Sequence, residues 1–289
     1  MLQLIVDKEQ SLKEFTENNY AQGSFFWNYL LKNKDVRING VRMAKDARVY
    51  PGDVVCYYLM KKQEEKPAFF DVYTDENILV IDKESGVNAE AVFAALSRRF
   101  AGAGKECYFI HRLDRNTKGL MVFALNRQTE TELLQAFKER RVEKIYHALC
   151  VGEIVKKRDV LTAYLKKDAT NALVRVYDAP TADAEKIITE YAVLQKISEQ
   201  LTLIEVTLHT GKTHQIRAHL AHAGHPVLGD MKYGQTMANK AWNAARQCLV
   251  AKQLSFQMQG SLAYLNDKKF ISRFDAESAV MQRGNTEKE

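Results

Sequence analysis

Two stretches hold most of the side chains capable of chemistry. The first is Ile110-His111-Arg112-Leu113-Asp114-Arg115-Asn116-Thr117-Lys118-Gly119-Leu120. It lies between two runs with strand character, CYFIHRL and GLMVFAL, so it reads as a loop emerging from a sheet, a common setting for a site. Asp114 stands between Arg112 and Arg115. Two readings follow. One is a surface salt-bridge cluster. The other is an ionised carboxylate in an electropositive pocket, available as a nucleophile or a base.

The second stretch runs from His209 through Thr210-Gly211-Lys212-Thr213-His214-Gln215-Ile216-Arg217-Ala218-His219 to Asp230. It contains five of the seven histidines, so zinc must be weighed. Their spacings of five, five, three and three residues contain no H-E-x-x-H, and no cysteine stands near, so no metal is expected. Thr-Gly-Lys-Thr lacks the glycine that completes a phosphate loop, and no G-x-G-x-x-G occurs, so no nucleotide cofactor is expected.

The elements that position these stretches belong to a chain of 289 residues, 46% hydrophobic and 27% charged. That composition excludes wholesale disorder and permits a real core. The net charge of +6 permits a polyanionic partner without requiring one. The four cysteines are widely spaced, which argues for buried thiols in a reducing cytoplasm. The start, MLQLIVDKEQ, has no basic flank and no sustained apolar run, so neither a signal peptide nor a membrane span is expected.

A charged segment containing Pro67 suggests a domain boundary. The expected organisation is a small α/β module over 1–62, a linker over 63–72, a larger domain over 73–275, and a polar tail over 276–289. In the module, SFFWNYLL over 24–31 predicts a helix. Asn39-Gly40 predicts a tight hairpin, because both turn residues need φ > 0. Residues 30–60 carry a net charge of +3. In the larger domain, ENILVIDK and CYFIHRL read as strands, and GLMVFAL as a central strand apolar on both faces. Thr129 with Glu132 predicts a capping box for a helix over 129–141, with Leu133, Leu134 and Phe137 on its apolar stripe. EKIYHALCVG, VLTAYL, ALVRVYD, ITEYAVL and LTLIEVTLH read as further strands. THQIRAHLAHA predicts a short helix stopped by Gly224. Most of these strands lack a crossover helix, so the fold class is α+β, with a largely antiparallel mixed sheet and flanking helices.

Together the motifs resemble the RluA family of RNA pseudouridine synthases. H-R-L-D-x-x-T-x-G stands at 111–119, with Asn116 and Lys118 where the family commonly has Asp and Ser. K-x-Y-x-A-x-V-x-G stands at Lys144, Tyr146, Ala148 and Gly152, with Cys150 in place of Val. T-G-R/K-T-H-Q-I-R-x-H stands at 210–219, and G-H-P-x-x-G-D at 224–230. YTDENILVIDKESGV matches an early family motif, with Glu84 where proline is common, and residues 248–256 match a late one. The resemblance covers about 70–265. Phe25 to Tyr58 resembles an alpha-L RNA-binding module without the usual Ser-Arg pair. That resemblance implies RNA contacts from Lys34, Arg37 and Arg42.

The family resemblance implies conversion of uridine in RNA to pseudouridine, with no cofactor. Asp114 would be the essential carboxylate, attacking the ribose or removing a ribose proton. Tyr146 would stack on the base, unless it is plain core packing, and Arg217 would pair with the catalytic Asp. Arg112 would fill the space the target vacates. His111 would contact RNA or serve as a hydrogen-bonded structural histidine. Leu113, Thr117, Lys212, His214, Gln215 and Ile216 complete the expected substrate-binding set. Leu113, Leu120, Ile216 and Leu220 would keep the pocket dry. Ribosomal RNA fits better than transfer RNA as the partner. Two alternatives stand: a non-catalytic RNA-binding or ribosome-assembly protein on the same fold, and a nucleosidase, which normally needs paired carboxylates.

Overall fold

The computed structural model describes residues 1–168, 173–278 and 280. The chain forms two compact units, Met1–Asn116 with Met121–Glu130, and Thr117–Leu120 with Thr131–Glu289.

The first unit opens with β1 (Leu2–Ile5), β2 (Gln10–Ser11), α1 (Leu12–Asn19), α2 (Ala21–Phe25) and α3 (Trp27–Asn33). The Ser11 hydroxyl caps α1 by accepting the Glu14 N–H at 3.0 Å. The helix expected over 24–31 is broken: Phe26, at φ −110° and ψ 25°, separates α2 from α3. Next come β3 (Val36–Ile38), β4 (Val41–Arg42), β5 (Arg48–Val49) and β6 (Val54–Tyr57). Asn39 (φ 49°) and Gly40 (φ 84°) make the expected hairpin turn. The sheet order is β1-β6-β3-β4. Its core gathers Leu12, Phe15, Leu30, Val36, Val55 and Tyr57, all essentially buried.

A turn of helix, α4 (Lys61–Glu64), leads to β7 (Phe69–Thr74) and β8 (Ile78–Lys83), every residue of β8 being buried. Residues 65–68 connect α4 to β7. Then follow α5 (Ala89–Ala101), β9 (Tyr108–Phe109) and β10 (Lys118–Ala124), whose residues from Gly119 onward are buried, as a central strand requires. Helix α5 is absent from the sequence reading, although Ala89, Val92 and Leu96 share its buried face at i, i+3 and i+7. The strand expected through CYFIHRL ends at Phe109, which leaves 110–117 as loop.

Helix α6 spans Arg127–Lys138. Its cap differs from expectation. The Asn126 side chain accepts the Thr129 N–H at 2.8 Å, so Asn126 fills the capping role and Thr129 is buried in the first turn. Thr129, Leu133 and Ala136 are therefore buried, and Leu134 faces solvent.

The second unit is built on a sheet of β11 (Val142–Val151), β12 (Arg158–Asp168), β13 (Leu173–Tyr177), β14 (Glu185–Ser198), β15 (Leu201–Leu208), then α7 (Gln215–His222), α8 (Thr236–Ala241), β16 (Leu249–Phe256) and β17 (Lys269–Ile271). The strand order is β13-β12-β14-β15-β11-β16, each neighbouring pair antiparallel. Lys118 and Gly119 of β10 run parallel to Val250 and Ala251 of β16, which makes the sheet mixed. The α+β, mostly antiparallel expectation holds. Of the stretch expected as a tail, Ala276 and Val280 pack in the core, while 279 and 281–289 lie outside the described residues. Three cysteines are buried and Cys56 is half-buried, all as free thiols. Among the described residues no helix is long and apolar enough to cross a membrane.

Candidate active site

His111 to Asn116 lie in the first unit, on the loop that follows β9. Asp114 is half-buried, Leu113 is buried and Arg112 is exposed. The loop is held from below by Lys83, the last residue of β8 and itself fully buried. Its ammonium donates to the carbonyls of Glu84 (2.9 Å), Val87 (2.9 Å) and Arg115 (3.1 Å). The Arg115 carbonyl also accepts the N–H groups of Gly86 (2.8 Å) and Val87 (3.2 Å). The residue next to Asp114 is thus pinned by its backbone. Burial pushes Lys83 down to about 7, opposed first by the charge of Asp114.

Other side chains brace the same loop. The Val122 N–H donates to Nε2 of His111 at 3.0 Å, so the neutral ring carries its proton on Nδ1. Arg112 pairs with Glu90 at 2.9 Å. Arg115 pairs with Glu17 on α1 and donates from Nε to the Gly86 carbonyl at 3.2 Å.

In the second unit, Thr117 is buried and accepts a hydrogen bond from Gln247. Gly119 (φ 114°) presses on β16 so closely that a Cβ would sit 2.3 Å from the Ala251 oxygen. Tyr146 lies on β11 at a register shift, opposite Val206 and Ala251, and is largely buried. Lys144, lowered by burial, lies over the Phe137 ring at 5.4 Å.

The 210–219 segment is organised around Gln215, whose side chain is buried. Its Oε1 accepts from the Thr210 hydroxyl (2.9 Å) and the Lys212 N–H (3.1 Å). Its Nε2 donates to the Ile188 carbonyl and the Thr189 hydroxyl, both at 3.0 Å. Lys212 pairs with Glu185. His214, at φ 55°, precedes α7 without a side-chain capping bond and meets the Tyr233 hydroxyl through Nδ1 at 2.9 Å. Ile216 and Leu220 are buried, as are Leu113 and Leu120.

Arg217 forks onto Asp230: Nε to Oδ2 at 2.7 Å and Nη2 to Oδ1 at 2.9 Å. The Tyr233 ring covers the guanidinium at 5.2 Å. Burial pushes the Asp230 carboxyl up. Arg217 and the N–H groups of Lys232 and Tyr233 more than offset that, and the net shift is downward.

The histidines have separate partners: His209 with Glu190, His219 with Thr189 and His222 with Asp178. Burial lowers His219 to about 4, so its ring is neutral. Among the described residues no group of three or more His, Cys, Asp or Glu side chains could hold a metal ion.

Asp114 therefore lies in the first unit, and Tyr146 and Arg217 in the second. Lys34 at the end of α3 and Arg42 on β4 are exposed, and Arg37 of β3 lies over the Tyr58 ring at 4.7 Å. Sequence reasoning gave no role to Lys83 and did not pair Asp230 with Arg217. The signals were a lysine, with Asp82 before it, closing a strand that opens with four apolar residues, and an acid ending the G-H-P-x-x-G-D run.

A family model described as RNA pseudouridylate synthase matches residues 65–222. Ribosomal large subunit pseudouridine synthase C of Rickettsia conorii is 30% identical over 229 residues, covering 71% of this chain and 75% of that protein. Ribosomal large subunit pseudouridine synthase D of Xylella fastidiosa is 31% identical over 244 residues, covering 79% and 72%. The solved structure of human RNA Pseudouridylate Synthase Domain Containing 1 is similar with a TM-score of 0.58 at 28% identity, covering 66% of this chain and 79% of that one.

Proposed function

Because the chain belongs to the RNA pseudouridylate synthase family, we propose that it isomerises selected uridines of structured ribosomal RNA to pseudouridine in the cytoplasm. The observation that carries this reading is Asp114. It is a half-buried carboxylate on a loop clamped by the buried Lys83, inside the matched region. In this proposal Asp114 acts on the target ribose, by attack or by proton removal. Tyr146 stacks on the uracil, and Arg217 orders the site from its fork with Asp230. Gln215 and Thr117 act by fixing backbone around the base, and His111 by fixing its own loop. Lys212, His214 and Ile216 line the substrate side, with Leu113. Detachment of uracil requires that water be kept out, and the buried Leu113, Leu120, Ile216 and Leu220 suit that need. The target must leave its stack at a cost of a few kcal/mol, which favours loops. Arg112 fills the vacated space.

The N-terminal module, expected over 1–62, serves in RNA binding and is joined through 65–68 to a catalytic domain that opens at β7 and takes in Ala276 and Val280. Arg37 and Arg42 are direct cross-strand partners. Like charges in that register repel, and a phosphate between them relieves the repulsion. The names of the relatives favour ribosomal RNA.

The test is pseudouridine mapping of ribosomal RNA from cells carrying the wild-type chain, Asp114→Asn, or no copy. At least one site should disappear in both the deletion and the folded variant. A variant that retains every site would remove the catalytic reading.

A further inference from the structure

We propose that a cleft beside the Asp114 loop binds an unpaired nucleotide of the RNA by aromatic stacking, which deepens and rests on the function proposed above. The cleft lies wholly within the first unit and has a volume of about 270 Å³. Its walls include Phe25, Phe26, Trp27 and Tyr29, with Lys13 on α1 and Arg115 of the loop.

The break at Phe26 creates this arrangement. A continuous helix would spread the rings of residues 25, 26, 27 and 29 around its circumference. Ending α2 at Phe25 and restarting at Trp27 instead delivers them to one junction. The module's core does not consume them. Its centre is Leu12, Phe15, Leu30, Val36 and Tyr57, and Trp27 only borders it. All four rings remain partly exposed.

Cations surround the rings. Lys66 lies 4.3 Å above the centre of Phe25 and 5.4 Å above Phe26. Lys13 is exposed, and Arg115 is the residue next to Asp114. The one acid in the wall, Glu17, is neutralised by Arg115 and offers an acceptor for a base amino or imino group. π faces flanked by cations are the surface that tracks single strands. The volume falls just short of the roughly 300–1,000 Å³ of pockets for drug-sized ligands, which suits a single nucleotide. The charge, and the continuity with the loop proposed to act on RNA, favour a nucleotide over an apolar peptide.

The chain has two tryptophans, so a Trp242→Phe background leaves Trp27 as the sole reporter. In the full chain, titration with a single-stranded adenylate tetranucleotide should quench Trp27 saturably, and a blunt RNA duplex should not. Phe25→Ala should weaken binding about five- to hundredfold, while Phe25→Tyr restores it. Lys13→Glu, at an exposed position, should weaken binding and reduce its salt dependence. Equal quenching by duplex, no saturable quenching, or wild-type affinity in folded Phe25→Ala and Lys13→Glu would overturn the cleft. Pseudouridine formation on ribosomal RNA, followed in the same preparations, separates the two readings. Modification that persists without Trp27 quenching removes only the cleft. Modification that persists in Asp114→Asn removes the enzymatic reading whatever Trp27 does.

Discussion

Replacing Asp230 by Asn tests whether the Arg217 guanidinium is held by charge or only by shape. The two side chains are 7% and 0% exposed, so water cannot replace a lost partner. Wild-type Asp230 takes two bonds from Arg217, and its Oδ1 also accepts the N–H of Lys232 (2.8 Å) and Tyr233 (3.2 Å). The amide has one oxygen for these donors, and its NH2 faces the cation. Breaking a buried ion pair by neutralising one member costs about 3–5 kcal/mol. The lower figure corresponds to a fall in melting temperature of about 6–12 °C. Arg217→Gln should cost a comparable amount. In the double variant the neutral partners can bond each other, so the costs should fall short of additive by about 2 kcal/mol. Urea unfolding at pH 7 measures the cycle. Modification rates at a temperature where all four chains are folded should show kcat/KM down at least tenfold in Asp230→Asn. Acid adds a sign test. Asp230 is lowered below 3.8, so its stabilisation is present above that value and lost as pH falls through the folded one. Asp230→Asn should therefore lose less stability than wild type between pH 5 and pH 2. Additive single costs, or a melting shift under about 2 °C, would refute the argument.

Two other predictions concern the Asp114 loop and its flank. Burial lowers Lys83 from 10.5 to about 7, so between those values the unfolded chain binds a proton that the folded chain does not. Lys83 then contributes a rise in stability with pH of up to about 1.4 kcal/mol per unit, and Lys83→Met should lower the slope by that amount relative to wild type in urea unfolding from pH 7.5 to 9.5; an unchanged slope would count against it. Gly119→Ala sets a Cβ at 2.3 Å from the Ala251 oxygen at a φ of 114°, and should destabilise by about 2–5 kcal/mol; a melting temperature within 2 °C of wild type would show that β10 and β16 can part.

Local patterns were legible where the deciding atoms are sequence neighbours. Asn39-Gly40 turned as expected, β10 is buried on both faces, and α7 stops at Gly224 with φ 88°. The RluA resemblance carried the family. Competing local signals were harder. Asn126 and Thr129 are both good caps, and burial of Thr129 decides between them. Long-range partners were not legible. Glu17 and Arg115 stand 98 residues apart, and the three carbonyls on Lys83 carry no side-chain signature. The aromatic run at 25–29 read as one helix, because periodicity alone does not reveal the break at Phe26.

The clamp on the Asp114 loop has an evolutionary corollary. Lys83 grips main-chain oxygens, which every amino acid supplies. The grip itself is therefore indifferent to the side chain at 84, and Glu84 can stand where proline is common, whereas Val87 is held to an apolar type by its burial and Arg115 by its pairing with Glu17. Lys83 itself has no such latitude: a library randomised at 83 and 84, selected for modification, should return varied residues at 84 and lysine at 83.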